Sequence, residues 1–182
     1  MNKISSISRR VFLQAIAAAS PAIRGHGKIN PPLPVPDIAL IRHDGSATSL
    51  RPLVAGHATA VQLMFTGCTT TCPIQAAIFQ RVQTMLKATD GQVIQLLSLS
   101  IDPENDTPHE LSSWRRRFHA SPAWIAAAPA VGDLPRVQDF FGKSGGADHS
   151  TQAHILDRQG RLVWRSYEMP TAEEIVSVLR KI

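Results

Sequence analysis

Cysteine is scarce: the 182 residues contain two, Cys68 and Cys72. They allow at most one intramolecular disulfide. It would close a loop of only a few residues, so its entropic effect on the unfolded chain is small. Acid is absent from residues 1–22, which carry Lys3, Arg9 and Arg10. Without that stretch the balance is 16 basic residues against 14 acidic, +2 instead of the +5 of the whole chain. The basic excess is thus largely a property of the N-terminus, and charge gives no argument for a nucleic-acid partner. Long apolar runs are missing from the N-terminal region. Val11 to Ala19 falls far short of the ~20 residues that span a bilayer. No internal repeat is present. The 43% apolar content is enough for one cored domain behind a leader.

The leader has its own pattern. Ser8 to Leu13 reads S-R-R-V-F-L, a twin arginine ahead of a modest apolar run. It resembles a Tat export signal, with small residues for cleavage at Ala17–Ala19 or Ser20–Ala22. Residues 1–22 are therefore expected to be a signal peptide and the protein periplasmic, touching the membrane only indirectly or through an uncleaved leader. Residues 23–34, rich in Pro and Gly, read as a linker, and residues 35–182 as the domain. In an oxidising compartment two neighbouring cysteines tend to pair unless a metal or a reductant holds them apart.

Those cysteines are what the rest is built around. Val61 to Phe65 has the composition of a buried strand, and Ile74, Ala77 and Ile78 have the spacing of a helix face. Cys68 and Cys72 thus fall where a strand becomes a helix, with Pro73 suited to the first helical position. The positive end of a helix dipole favours a thiolate, the form that binds metal or attacks a disulfide. Residues four apart on a helix have Cβ atoms roughly 5–6 Å apart, so the two sulfurs can close on one ion or on each other. A strand-to-helix turn is expected to expose both.

Strands are predicted near Leu40–Ile41, in a return strand to Leu50, and at Ala60–Phe65, Gln92–Ile101, Trp124–Ala126, His154–Asp157 and Arg161–Trp164. Helices are predicted at Pro73–Lys87, Pro108–His119, Val131–Phe141 and Thr171–Ile182. Thr107 with Glu110, and Thr171 with Glu174, have capping-box spacing. This alternation places helices on both faces of one mixed sheet, and a C-x-x-C-like pair in such an α/β pattern points to a thioredoxin-like fold. Here three residues, not two, separate the cysteines.

Two thiolates are soft ligands suited to Cu(I) or Zn, and an imidazole can complete a trigonal copper site. Of seven histidines, His26 lies in the linker, His43 and His57 flank early strands, and His109 and His119 belong to one helix. His154 is in a strand. His149 stands out because it follows the glycine-rich Gly142–Gly146 stretch and precedes a strand. From the residues alone it is a ligand or an ordinary surface histidine. Asp148 could orient it, and Asp102 and Asp106 read as loop and cap residues.

Four segments in order decide between those alternatives: V-P-D-I-A-L with H-D-G, F-T-G-C-T-T-T-C-P, S-I-D-P-E-N-D-T-P, and D-H-S-T-Q-A-H-I-L-D-R-Q-G. Together they resemble the SCO/SenC copper proteins of cytochrome oxidase assembly over roughly residues 35–182. The resemblance implies copper, as Cu(I) or Cu(II), held by Cys68, Cys72 and His149. It also implies cytochrome c oxidase subunit II or another periplasmic copper or thiol protein as partner; a Cys68–Cys72 disulfide is expected of the two neighbouring sulfurs when oxidised. His154 stands where the family usually has an aromatic residue. A thiol–disulfide oxidoreductase using Cys68 and Cys72 as its catalytic pair is the alternative. The Gln and Trp residues expected of a peroxidase on a related fold are not evident.

Overall fold

The computed structural model describes residues 27–86, 90, 93–142 and 151–182. Eight strands form one sheet: β1 (Gly27–Pro34), β2 (Ala39–Arg42), β3 (Ala47–Ser49), β4 (Ala58–Met64), β5 (Ile94–Ser100), β6 (Trp124–Pro129), β7 (Ala153–Leu156) and β8 (Arg161–Arg165). Their spatial order is β1-β8-β7-β4-β5-β6-β2-β3. β4, β5 and β6 are parallel, and every other pairing is antiparallel. The central strands β4 and β5 are buried along their whole length, which is why apolar residues occupy both of their faces.

The helices are α1 (Leu50–Val54), α2 (Thr71–Met85), α3 (Pro108–Arg117), α4 (Leu134–Val137) and α5 (Ala172–Leu179). The connections β4-α2-β5 and β5-α3-β6 step the same way across the sheet. Right-handed crossovers then put α2 and α3 on one face. Residues of α2, α3 and α5 share a buried cluster with Ala58, Ala60 and Met64 of β4. Residues of α1, α4 and the turn after it share another with Val61 and Leu63. Alternate side chains of β4 thus feed two cores, and the mixed sheet carries helices on both faces in a thioredoxin-like arrangement, as expected.

On the α2 face the rings of Phe79, Trp114 and Trp124 pack together, with Trp114 and Trp124 edge to face at 5.6 Å between centroids. The Trp124 indole N–H and the Gln62 amide both donate to Ser98 Oγ, at 2.9 and 2.7 Å, inside that layer. Both expected helix starts are present. Thr107 Oγ1 accepts from the Glu110 N–H, and Thr171 with Glu174 forms a full capping box.

Three features depart from the sequence reading. The linker assigned to 23–34 is from Gly27 onward a strand, paired antiparallel with β8. Pro31, Pro32 and Pro34 are tolerated because β1 is an edge strand, and pairing is irregular between Lys28 and Leu33. The short helix α1 follows β3 directly. The helix predicted over Val131–Phe141 is three pieces: a 3₁₀ turn (Val131–Asp133), α4, and a π-helical turn (Gln138–Gly142). Among the described residues no helix is long and apolar enough to cross a membrane. The leader expected at residues 1–22 lies outside them.

Candidate metal centre

The cysteine turn leaves the C-terminal end of β4, where open α/β sheets place their ligand sites. α2 begins at Thr71, two residues earlier than expected, so Cys72 is its second residue and Pro73 its third. Proline costs nothing there, because N–H groups of the first turn have no helical partner. The early start has a larger effect. Cys72 faces the sheet beside Ala76 and Phe79 and is 1% exposed. The expectation that the turn exposes both sulfurs is therefore wrong for Cys72 and right for Cys68, which is partly exposed. No disulfide joins them in this structure.

Thr70, at the N-cap position, makes no side-chain cap. Cys68 takes over that role: the Cys72 N–H donates to Cys68 Sγ at 3.5 Å. The hydroxyls of Thr70 and Thr71 lie 3.8 and 4.0 Å from the same sulfur. Partial burial alone would push the Cys68 thiol up. The backbone N–H groups of Cys72 and Thr70 outweigh it and bring the pKa from 9.0 down to about 6. A sulfur in that setting is a thiolate at neutral pH.

The segment leading into the turn is held from a distance. The buried Asp106 carboxylate accepts the Thr66 N–H at 3.0 and 3.2 Å, the Thr66 hydroxyl at 2.5 Å and the Ser100 hydroxyl at 2.7 Å. The sequence suggests a loop or cap role for Asp106. Thr107 is the cap of α3, and Asp106 points back to β4 instead. Asp102 is the loop residue expected, its carboxylate taking both bonds from the Asn105 amide.

His149, with Asp148 and most of the glycine-rich stretch, lies outside the described residues. What flanks it is described. The π-helical turn ends at Gly142 with two carbonyls tied to the sheet: Arg165 donates to Phe140 O at 2.8 Å, and His154 Nε2 meets Phe141 O at 2.9 Å. His154 is fully buried, its ring edge to face with Phe141 at 5.1 Å, so it fills space as an aromatic residue would. On the far side, Gln75 of α2 donates to Gln152 O at 2.6 Å. Ala153 then pairs opposite Gln62, two residues short of the end of β4. The chain re-enters the sheet beside the cysteine turn.

The other described histidines do not gather there. His43 Nδ1 meets Ala126 O at 3.2 Å, His57 sits at the opposite end of β4, His109 pairs with Glu110, and His119 is exposed on the last turn after α3. Among the described residues no three His, Cys, Asp or Glu side chains converge.

The SCO1/SenC family model matches residues 34–182. The chain belongs to the SCO1/SenC family. It is 26% identical to an SCO2-like protein of Rickettsia typhi over 137 residues, 69% of this chain and 66% of that one. The match thus spans just under two thirds of that relative. Its fold is similar to that of yeast Sco1 with copper bound, at 19% identity and TM-score 0.68, covering 83% of this chain and 95% of that one. It is also similar to Bradyrhizobium japonicum ScoI with copper bound, at 20% identity and TM-score 0.63, covering 81% and 98%. At such identities the likeness speaks for the fold. Asp106 and Gln75 are the residues at this SCO1/SenC turn that sequence reasoning missed. A charged or amide side chain in a segment destined for burial was the only available signal.

Proposed function

We propose that this chain is a periplasmic copper chaperone, exported through its twin-arginine leader. Copper is its cargo, held by Cys68, Cys72 and His149. The observation that carries the reading is the Cys68 sulfur seated on the first turn of α2 with a pKa of about 6, next to a second sulfur four residues on. Reach supports His149 as the third ligand. It lies four residues before Ala153, and four residues span at most about 14 Å. Ala153 itself is fixed against β4 near the cysteine turn.

The two sulfurs divide the work. Cys68, open to solvent, is where an incoming thiolate of a recipient can approach. Cys72 is shielded by α2 and the sheet and keeps its hold until the recipient's ligands are in place. Copper-bound relatives and the four sequence segments favour copper over zinc. The recipient proposed is the binuclear copper centre of cytochrome c oxidase subunit II.

Copper titration of the reduced protein tests this. Cys68→Ser should abolish tight Cu(I) binding. His149→Ala should weaken Cu(II) more than Cu(I), because two thiolates alone can hold Cu(I). Undiminished Cu(I) binding by Cys68→Ser overturns the reading.

The unequal exposure of the sulfurs favours one second reading, thiol–disulfide exchange. The Cys68 thiolate attacks a substrate disulfide, forms a mixed disulfide and expels one substrate thiolate. Cys72 then attacks Cys68 Sγ and releases the second. The substrate gains two electrons, the Cys68–Cys72 pair loses them, and a periplasmic dithiol restores it. Retained reductase activity in a His149→Ala variant that no longer binds Cu(II) separates the two readings.

A further inference from the structure

Asp106 is 2% exposed, and among the described residues no Lys, Arg or His side chain pairs with it. A buried carboxylate without a cation is costly unless donors surround it. Its donors come from two residues. Ser100, at the end of β5, supplies one, and Thr66 supplies both its N–H and its hydroxyl. Ser100 Oγ in turn accepts the Asp102 N–H at 3.0 Å. Bonds from ionised groups are about twice as strong as neutral ones, so this carboxylate locks the ends of β4 and β5 to the start of α3.

Thr66 is two residues before Cys68. The Cys68 N–H donates back to Phe65 O at 3.2 Å, which closes a tight turn whose entry Asp106 holds. At the other end of that turn, the Cys72 N–H reaches Cys68 Sγ at 3.5 Å. That contact depends on where the turn places the sulfur, since the Cys72 N–H is fixed in the first turn of α2.

We propose that Asp106 is a positioning residue for the thiol turn: by gripping Thr66 it seats the Cys68 sulfur over the N-terminus of α2. The proposal rests on Cys68 being the working sulfur, as in the reading above, and is independent of copper.

The test is the thiol–disulfide equilibrium of the metal-free full chain against a dithiothreitol redox buffer, with thermal unfolding followed in parallel. Losing the N–H bond to a thiolate removes stabilisation found only in the dithiol. Asp106→Ala should therefore shift the pair toward the disulfide by about tenfold, which is about 30 mV. Asp106→Asn keeps one oxygen for the Thr66 N–H and should recover part of that shift. Thr66→Ala, which loses only the hydroxyl bond, should shift it a few-fold. A merely structural carboxylate would lower the melting temperature and leave the equilibrium alone. An unchanged equilibrium in folded Asp106→Ala, or a shift toward the dithiol, overturns the proposal. If Asp106→Ala does not fold, unchanged equilibria in both other variants do the same. No metal enters the assay, so failure of copper binding in the wild-type chain would leave this result standing.

Discussion

The state of the Cys68 sulfur can be measured directly by varying pH. With a pKa of about 6, about 90% of Cys68 is thiolate at pH 7, against about 1% for a thiol at 9.0. The rate gain is smaller than that ratio, because nucleophilicity falls with pKa. With a Brønsted slope of about 0.45, the thiolate of the weaker base attacks roughly twentyfold more slowly. The neutral-pH rate therefore exceeds that of an ordinary thiol only a few-fold, and the midpoint of the pH profile is the diagnostic quantity. The assay is iodoacetamide alkylation of the reduced chain, with Cys68 and Cys72 resolved by peptide mass. Cys68 should label with a midpoint near pH 6 when folded and near 9 in denaturant. Stability follows the same linkage. Because the folded pKa is depressed, the contribution is complete above pH 9 and is lost as pH falls through about 6. A full shift of this size corresponds to about 4 kcal/mol. Solvent at the partly exposed sulfur screens it, leaving about 2 kcal/mol. Reduced protein should thus gain urea resistance between pH 6 and 9, and Cys68→Ser should not. A folded-state midpoint above about 8 would refute the claim that the first turn of α2 holds a thiolate.

Two further outcomes test the scaffold. Thr171→Ala removes the side chain that accepts from Glu174 N–H and dismantles the capping box of α5. It should cost about 1 kcal/mol in denaturant unfolding while leaving copper titration unchanged. Phe79→Ala empties a fully buried site whose ring lies 6.0 Å from Trp124. It should cost about 3–5 kcal/mol and weaken the near-ultraviolet circular dichroism of the Trp124 environment.

The elements that were legible in the sequence are those whose signal is local. β4 and β5 show as apolar runs, and α3 and α5 begin at threonine caps whose partners lie three residues on. What was missed depends on partners far along the chain. The stretch 27–34 has the composition of a linker, and only its pairing with β8, at Gly27 and Lys28 and again at Leu33 and Pro34, makes it a strand. Cys72 looks identical to Cys68 in sequence. Its burial follows from α2 starting at Thr71, which no side-chain cap announces, since the capping atom is a sulfur. Asp106 has a capping position beside it and a helix after it, and nothing in the neighbouring residues reveals that its partner is Thr66, 40 residues earlier. The π-helical turn before Gly142 likewise has no periodic signature. It is fixed by Arg165 and His154 from two other strands.

The outer strands of the sheet have a consequence for life in a crowded compartment. One margin, β1, is interrupted by three prolines that offer no amide to a newcomer, and the other, β3, is only three residues long. Both features disfavour the addition of a foreign strand. The fully buried strands β4 and β5 sit in the middle, sealed by neighbours on both sides. The cysteine turn, at the C-terminal end of β4, is thereby left as a place where contact need not extend the sheet.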